Sequence, residues 1–175
     1  MAAGLTFGVE DARQILAYDR VVFDRFVRKV RRLPWKEATR AREIGHQSLF
    51  DTLVHVLNVH EAWHTILQGR SRELDRLFQD PTRHPADWKG FEAYARRVWA
   101  TVDATAASLS SKSLGRRVKA YWMPGTYTTR DAILQTTFEE AHHLGEVIGA
   151  LWQDDRASPP MTWLDVTRAP RRRRA

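Results

Sequence analysis

The sequence predicts an all-α protein, a four-helix bundle with a short extended segment before the last helix. Three observations carry that prediction. Four long segments space their apolar residues as one helical stripe each, and only mutual packing hides four such stripes. Two of the segments open on Ser or Thr with Asp three positions later, the start signal of a capped helix. One stretch, "GRRVKAYWMPGTYTT", breaks the helical spacing: residues 118–121 partly alternate and a Pro-Gly turn follows, as in an extended segment or small hairpin.

The first helix is expected over 9–32, "VEDARQILAYDRVVFDRFVRKVRR", closed by Leu33-Pro34. The second, over 48–69, opens with Ser48 and Asp51 and stops near Gly69. The third runs over 86–111. The fourth runs over 129–153, with Thr128 and Asp131 as its start signal. After Pro159-Pro160 the chain is expected to pack loosely or form a short turn. Residues 1–164 therefore form one bundle domain, and 165–175 form a basic, solvated tail.

Composition bounds the function. A chain of 175 residues with 43% apolar and 28% charged residues describes one ordinary globular domain. No apolar run approaches the ~18 residues that span a bilayer. The N-terminus lacks the basic flank and apolar stretch of a secretory signal. With no cysteine there is no disulfide, thiolate ligand or cysteine nucleophile, so any thiol chemistry uses an external thiol. These features lead to the expectation of a cytoplasmic protein without a membrane partner. The net charge of +7 falls to +3 over residues 1–164, because five arginines of "RAPRRRRA" carry the excess. Nucleic acid is thus a candidate partner only through that tail.

The chemistry concentrates in "HVLNVHEAWH", residues 55–64, with three histidines and a glutamate. Three metal sites compete for these residues. "HEAWH" matches the zinc-protease pattern, in which His60 and His64 grip zinc and Glu61 is general base. That reading also needs a third ligand and an edge strand for substrate, neither of which is apparent. A di-iron bundle needs Glu-x-x-His twice, and Glu61/His64 with Glu140/His143 provide it. It also needs a carboxylate on each remaining helix, and Asp19, Asp24, Glu92 and Asp103 read more simply as surface charges. The third reading follows a stripe on the last helix through Ala132, Thr136, Glu139, His143, Val147 and Ala150. It pairs Glu139 and His143 one turn apart with a ligand from the histidine-rich second helix. Glu140 also lies beside apolar positions, and Glu139/His143 can equally be a plain i,i+4 pair. Spacing alone leaves the three open.

The second helix, "SLFDTLVHVLNVHEAWHTILQG", resembles that of the DinB/YfiT-like proteins, in which a histidine follows a short apolar run. The last, "TTFEEAHHLGEVIGALW", resembles their final helix, typified by H-x-x-x-H before R-G-Q. The order of elements matches too, over roughly residues 10–155. The resemblance implies a four-helix bundle of DinB/YfiT type, often dimeric, with a metal held by one residue of the second helix and two of the last. Carried over, these are His55, Glu139 and His143; the chain has Glu139 in place of a family histidine and Leu144-Gly145-Glu146 in place of R-G-Q. A His/Glu/His set is similar to that of the mycothiol-dependent maleylpyruvate isomerases and favours a divalent metal, zinc first, with nickel, iron or manganese as alternatives.

The implied function is a metal-dependent enzyme acting on a small molecule, either as a thiol S-transferase with an external low-molecular-weight thiol or as a hydrolase. The isomerases carry a further C-terminal domain that this chain lacks room for. The alternative is a non-catalytic, metal-stabilised stress or nucleic-acid-associated protein; a zinc metalloprotease ranks behind both. On this reading "HEAWH" is coincidental, His60 and His64 are core-edge or surface residues, and His142 is a neighbour of the site.

Overall fold

Each long helix begins where the sequence supplies a polar cap. In the computed structural model, which describes residues 7–164, helix α1 spans Val9–Arg31 and the Gly8 amide donates to Asp11 at 2.7 Å. After the short α2 (Trp35–Ala38), α3 spans Leu49–Leu67, and its Ser48 Oγ accepts from the Asp51 amide at 3.0 Å. Helix α4 (Leu74–Phe78) follows a 3-10 turn over Ser71–Glu73. Asp87 caps α5 (Trp88–Ser108) by accepting from the Gly90 amide at 2.7 Å. Short α6 (Ser111–Leu114) leads into an antiparallel pair, β1 (Arg117–Val118) with β2 (Tyr127–Thr128), in which Arg117 faces Thr128 and Val118 faces Tyr127. Thr128 then caps α7 (Thr129–Gln153). The described residues are therefore all-α apart from this hairpin, and the four long helices lie within a few residues of the expected spans.

The packing order follows from long connections. Helix α3 packs on α5 and α7, and α1 packs on the same two, so α1 and α3 sit diagonally. Helix α1 buries one stripe (Ala12, Leu16, Asp19, Val22, Phe23, Phe26, Val30), the pattern of an outer helix. Helix α3 instead buries 15 of its 19 residues, so its polar residues have few routes to solvent. That corrects two expectations. His60 and His64 are core residues, each 0% exposed, not core-edge or surface ones. Asp19, expected as a surface charge, is 1% exposed. Glu92 and Asp103 are surface charges as expected, paired with Arg31 and Arg20. Beyond Pro160 the chain lies against α1: Tyr18 donates to the Met161 carbonyl, and its ring sits 5.1 Å from that of Trp163. The arginine run falls outside the described residues. No helix of the described chain is long and apolar enough to cross a membrane.

Candidate metal centre

The site is assembled by the connection between α2 and α3. Arg40 and Arg42 tie that segment to the C-cap of α7, donating to the two carboxylate oxygens of Asp154 at 2.7 and 2.9 Å. The hydrogen bonds from Arg42 and Arg40 hold the Asp154 carboxyl below its usual range. Arg42 also donates to the Glu37 carbonyl at 2.8 Å, closing the loop on itself. Near α3 the chain turns tightly, with Gln47 in the left-handed region at φ 64°. Gly45 lies so close to α7 that a Cβ there would sit 2.8 Å from Glu146 Oε1, and its amide donates to that oxygen at 3.3 Å. Between these two residues stands His46.

His46 stacks on His55 of α3 with ring centroids 3.6 Å apart, and both rings meet His143 of α7 edge-on, at 4.9 and 4.5 Å. One ring nitrogen from each of the three lies within 4.8 Å of the others. Burial, then the neighbouring His46 and His143, lowers the His55 pKa to about 4; burial and His143 lower that of His46 as well. His143 Nδ1 lies 3.0 Å from Glu146 Oε2. As a donor to that carboxylate, Nδ1 carries a proton and Nε2 is the nitrogen turned toward a metal, the usual arrangement behind a metal-ligating histidine. That Nε2 lies 3.6 Å from Glu139 Oε2, beyond a good hydrogen bond yet close to the separation of two ligands sharing a metal at ~2.1 Å. Glu139 Oε1 accepts from Gln135 at 2.7 Å.

Of the residues expected from sequence, His55 and His143 come together and Glu139 stands beside His143. His46 was missed. It belongs to no periodic face, and only the tertiary path of the loop brings it in; the nearest signal was its position two residues before the Ser48 cap. His142 is exposed, with Nε2 3.9 Å from Glu146. The helix stripe also differs from expectation: Glu140 is buried and Glu139 is half-exposed, so Glu139 is available to a cleft rather than sealed in the core.

That cleft, 530 Å³, is lined by His55 and Glu139 together with Trp63, Phe78, Trp122 and Met123. The β1–β2 hairpin supplies its roof: Trp122 meets Trp63 of α3 at 5.5 Å and Phe78 of α4 at 5.9 Å. Arg83 brings a cation to the wall, its guanidinium 4.8 Å from the Phe78 ring and its Nε donating to Glu61 at 3.0 Å.

The "HEAWH" residues serve a different purpose. Glu61 accepts from Arg83, from Tyr94 at 2.8 Å and from Arg97 at 3.2 Å, so its lone pairs are engaged in a buried network. His60 Nε2 pairs with Glu140 at 2.7 Å, and His64 lies wholly inside the core. Neither histidine reaches the cleft, and a protease arrangement of these three residues is not present.

The sequence profile of the DinB superfamily matches residues 18–147, which include His46, His55, Glu139, His143 and Glu146. None of the curated proteins searched matches the chain.

Proposed function

We propose, for a chain that belongs to the DinB superfamily, a divalent-metal-dependent enzyme acting on a small molecule in the aromatic cleft beside His55. His55, Glu139 and His143 are the ligands, with His46 as a further donor. One observation carries the reading: His55 belongs at once to the imidazole cluster and to the wall of the cleft. The donor set fits a borderline divalent ion, since imidazole and carboxylate together suit zinc, nickel, iron or manganese. His55 is neutral well below pH 7, so its lone pair is free at working pH.

When bound, the metal supplies Lewis acidity and lowers the pKa of a small thiol or water brought to it. The protein's own groups do the rest. Glu146 fixes the His143 tautomer and ring direction through Nδ1. Gln135 steadies the Glu139 carboxylate. Trp63, Phe78 and Trp122 exclude water and offer flat apolar faces to the electrophile, and Arg83 offers positive charge to an anionic group on it. Thiol transfer and hydrolysis both suit such a site, and thiol transfer is the one tested first. The test incubates zinc-loaded protein with a panel of low-molecular-weight thiols and an electrophilic aromatic. The expected result is thiol consumption that requires metal and is lost in His55→Ala and His143→Ala. Turnover that survives chelation, or that is unaffected by both variants, contradicts the reading.

A further inference from the structure

A second polar cluster lies inside the bundle. His55 and His60 are about 140° apart around α3, so His60 faces away from the cleft cluster and into the core. There it meets Asp19 of α1 and Glu140 of α7. One ligand atom from each lies within 4.8 Å of the other two, and none of the three residues is more than 3% exposed. Their partners are incomplete. Asp19 Oδ2 accepts from the Thr137 hydroxyl at 2.8 Å, whereas Asp19 Oδ1 has no hydrogen-bond partner. Glu140 Oε2 is matched by His60 Nε2 alone. Around them, both ring nitrogens of His64 and Trp99 Nε1 are also without partners. The Trp99 ring closes the α5 side, 5.0 Å from that of His60.

Two carboxylates sealed in a core without a cation are costly, and a native fold seldom leaves a carboxylate oxygen orphaned there. Arginine and lysine are not part of the cluster. We infer that Asp19, His60 and Glu140 form a second, enclosed divalent-metal site in the bundle core, separate from the cluster at the cleft. Two carboxylates and one imidazole from three helices make a facial set suited to zinc, iron or manganese. The ion neutralises both carboxylates and takes the free lone pair of Asp19 Oδ1. Ligand atoms on one ion at ~2.1 Å lie roughly 3–4 Å apart, a spacing of the order the three side chains already have. Thr137 holds the Asp19 carboxylate from behind, as outer hydrogen bonds hold metal ligands elsewhere. Enclosed by all four long helices, this ion ties the bundle together and has no open route to the substrate cleft.

The site is tested by metal content of tag-free, full-length protein produced in zinc-supplemented medium. Wild type is expected to hold two ions per chain, and Asp19→Asn and Glu140→Gln one each, because each isosteric change removes a charge while keeping the shape. Should either variant fail to fold, the His46→Ala/His55→Ala chain leaves the core intact and is expected to keep one ion. In that chain zinc is also expected to raise the thermal midpoint, and chelation during refolding to lower it. Wild-type metal content in both Asp19→Asn and Glu140→Gln overturns the proposal, as does a metal-free His46→Ala/His55→Ala chain. One ion in wild type that is lost in Asp19→Asn and kept in His55→Ala supports the core site and contradicts the centre at the cleft, so the two readings fail separately.

Discussion

Single residues at the cleft are set by crowding rather than by charge. Three imidazoles share one small volume, and burial together with His46 and His143 takes His55 down to about 4. Linkage then has one sign. In the unfolded chain the imidazole binds its proton near pH 6.5, and in the folded metal-free chain only near 4. The stability His55 contributes is complete above 6.5 and is lost as pH falls toward 4. Denaturant titrations of metal-free protein from pH 7.5 to 4 are expected to show that decline, and His55→Asn to flatten it. An equal decline in both proteins contradicts the assignment. Glu61 illustrates the opposite case, a charge fully answered by others. Glu61→Ala leaves Arg83, itself 5% exposed, without its carboxylate, and is expected to cost about 3–5 kcal/mol. Denaturant unfolding reads that cost, and no measurable loss contradicts the role of Glu61 in the buried network.

At the scale of elements, helix starts were legible because their signals are local. Ser48 with Asp51 and Thr128 with Asp131 act within one turn, and both caps form as read. The α7 cap is a full box, with Thr128 Oγ1 accepting from the Asp131 amide at 3.1 Å while the Asp131 carboxylate accepts from the Thr128 amide at 2.9 Å. Thr128→Ala is expected to cost about 1 kcal/mol in chemical denaturation, and no measurable loss contradicts the role of this cap. The faces of α3 were not legible in the same way. A helix buried nearly all round gives no polar side by which to orient its histidines, so periodicity could not rank His55 above His60 or His64. His46 was out of reach for another reason. Its place depends on Arg40 and Arg42 gripping Asp154, more than 100 positions along the chain, and no spacing rule links those residues. Glu139 and Glu140, adjacent in sequence, show how fine the distinction is: one turns to the cleft and its neighbour to the core.

At the scale of the molecule, the bundle separates two polar centres by placing them on different faces of α3 and α7. The diagonal relation of α1 and α3 lets Asp19 approach His60 across the core, while the loop before α3 brings His46 to the outside of the same helix. The fold class was legible because four apolar stripes admit few arrangements. Which polar residues meet inside it depends on packing order, which the stripes do not encode. The central claim is that the cleft cluster holds a metal through His55 and His143. Its most direct test is the metal content of tag-free wild type, His55→Ala and His143→Ala after zinc loading. Loss of one ion per chain in each variant, with far-UV circular dichroism unchanged, is the predicted result. Wild-type metal content in both variants contradicts it.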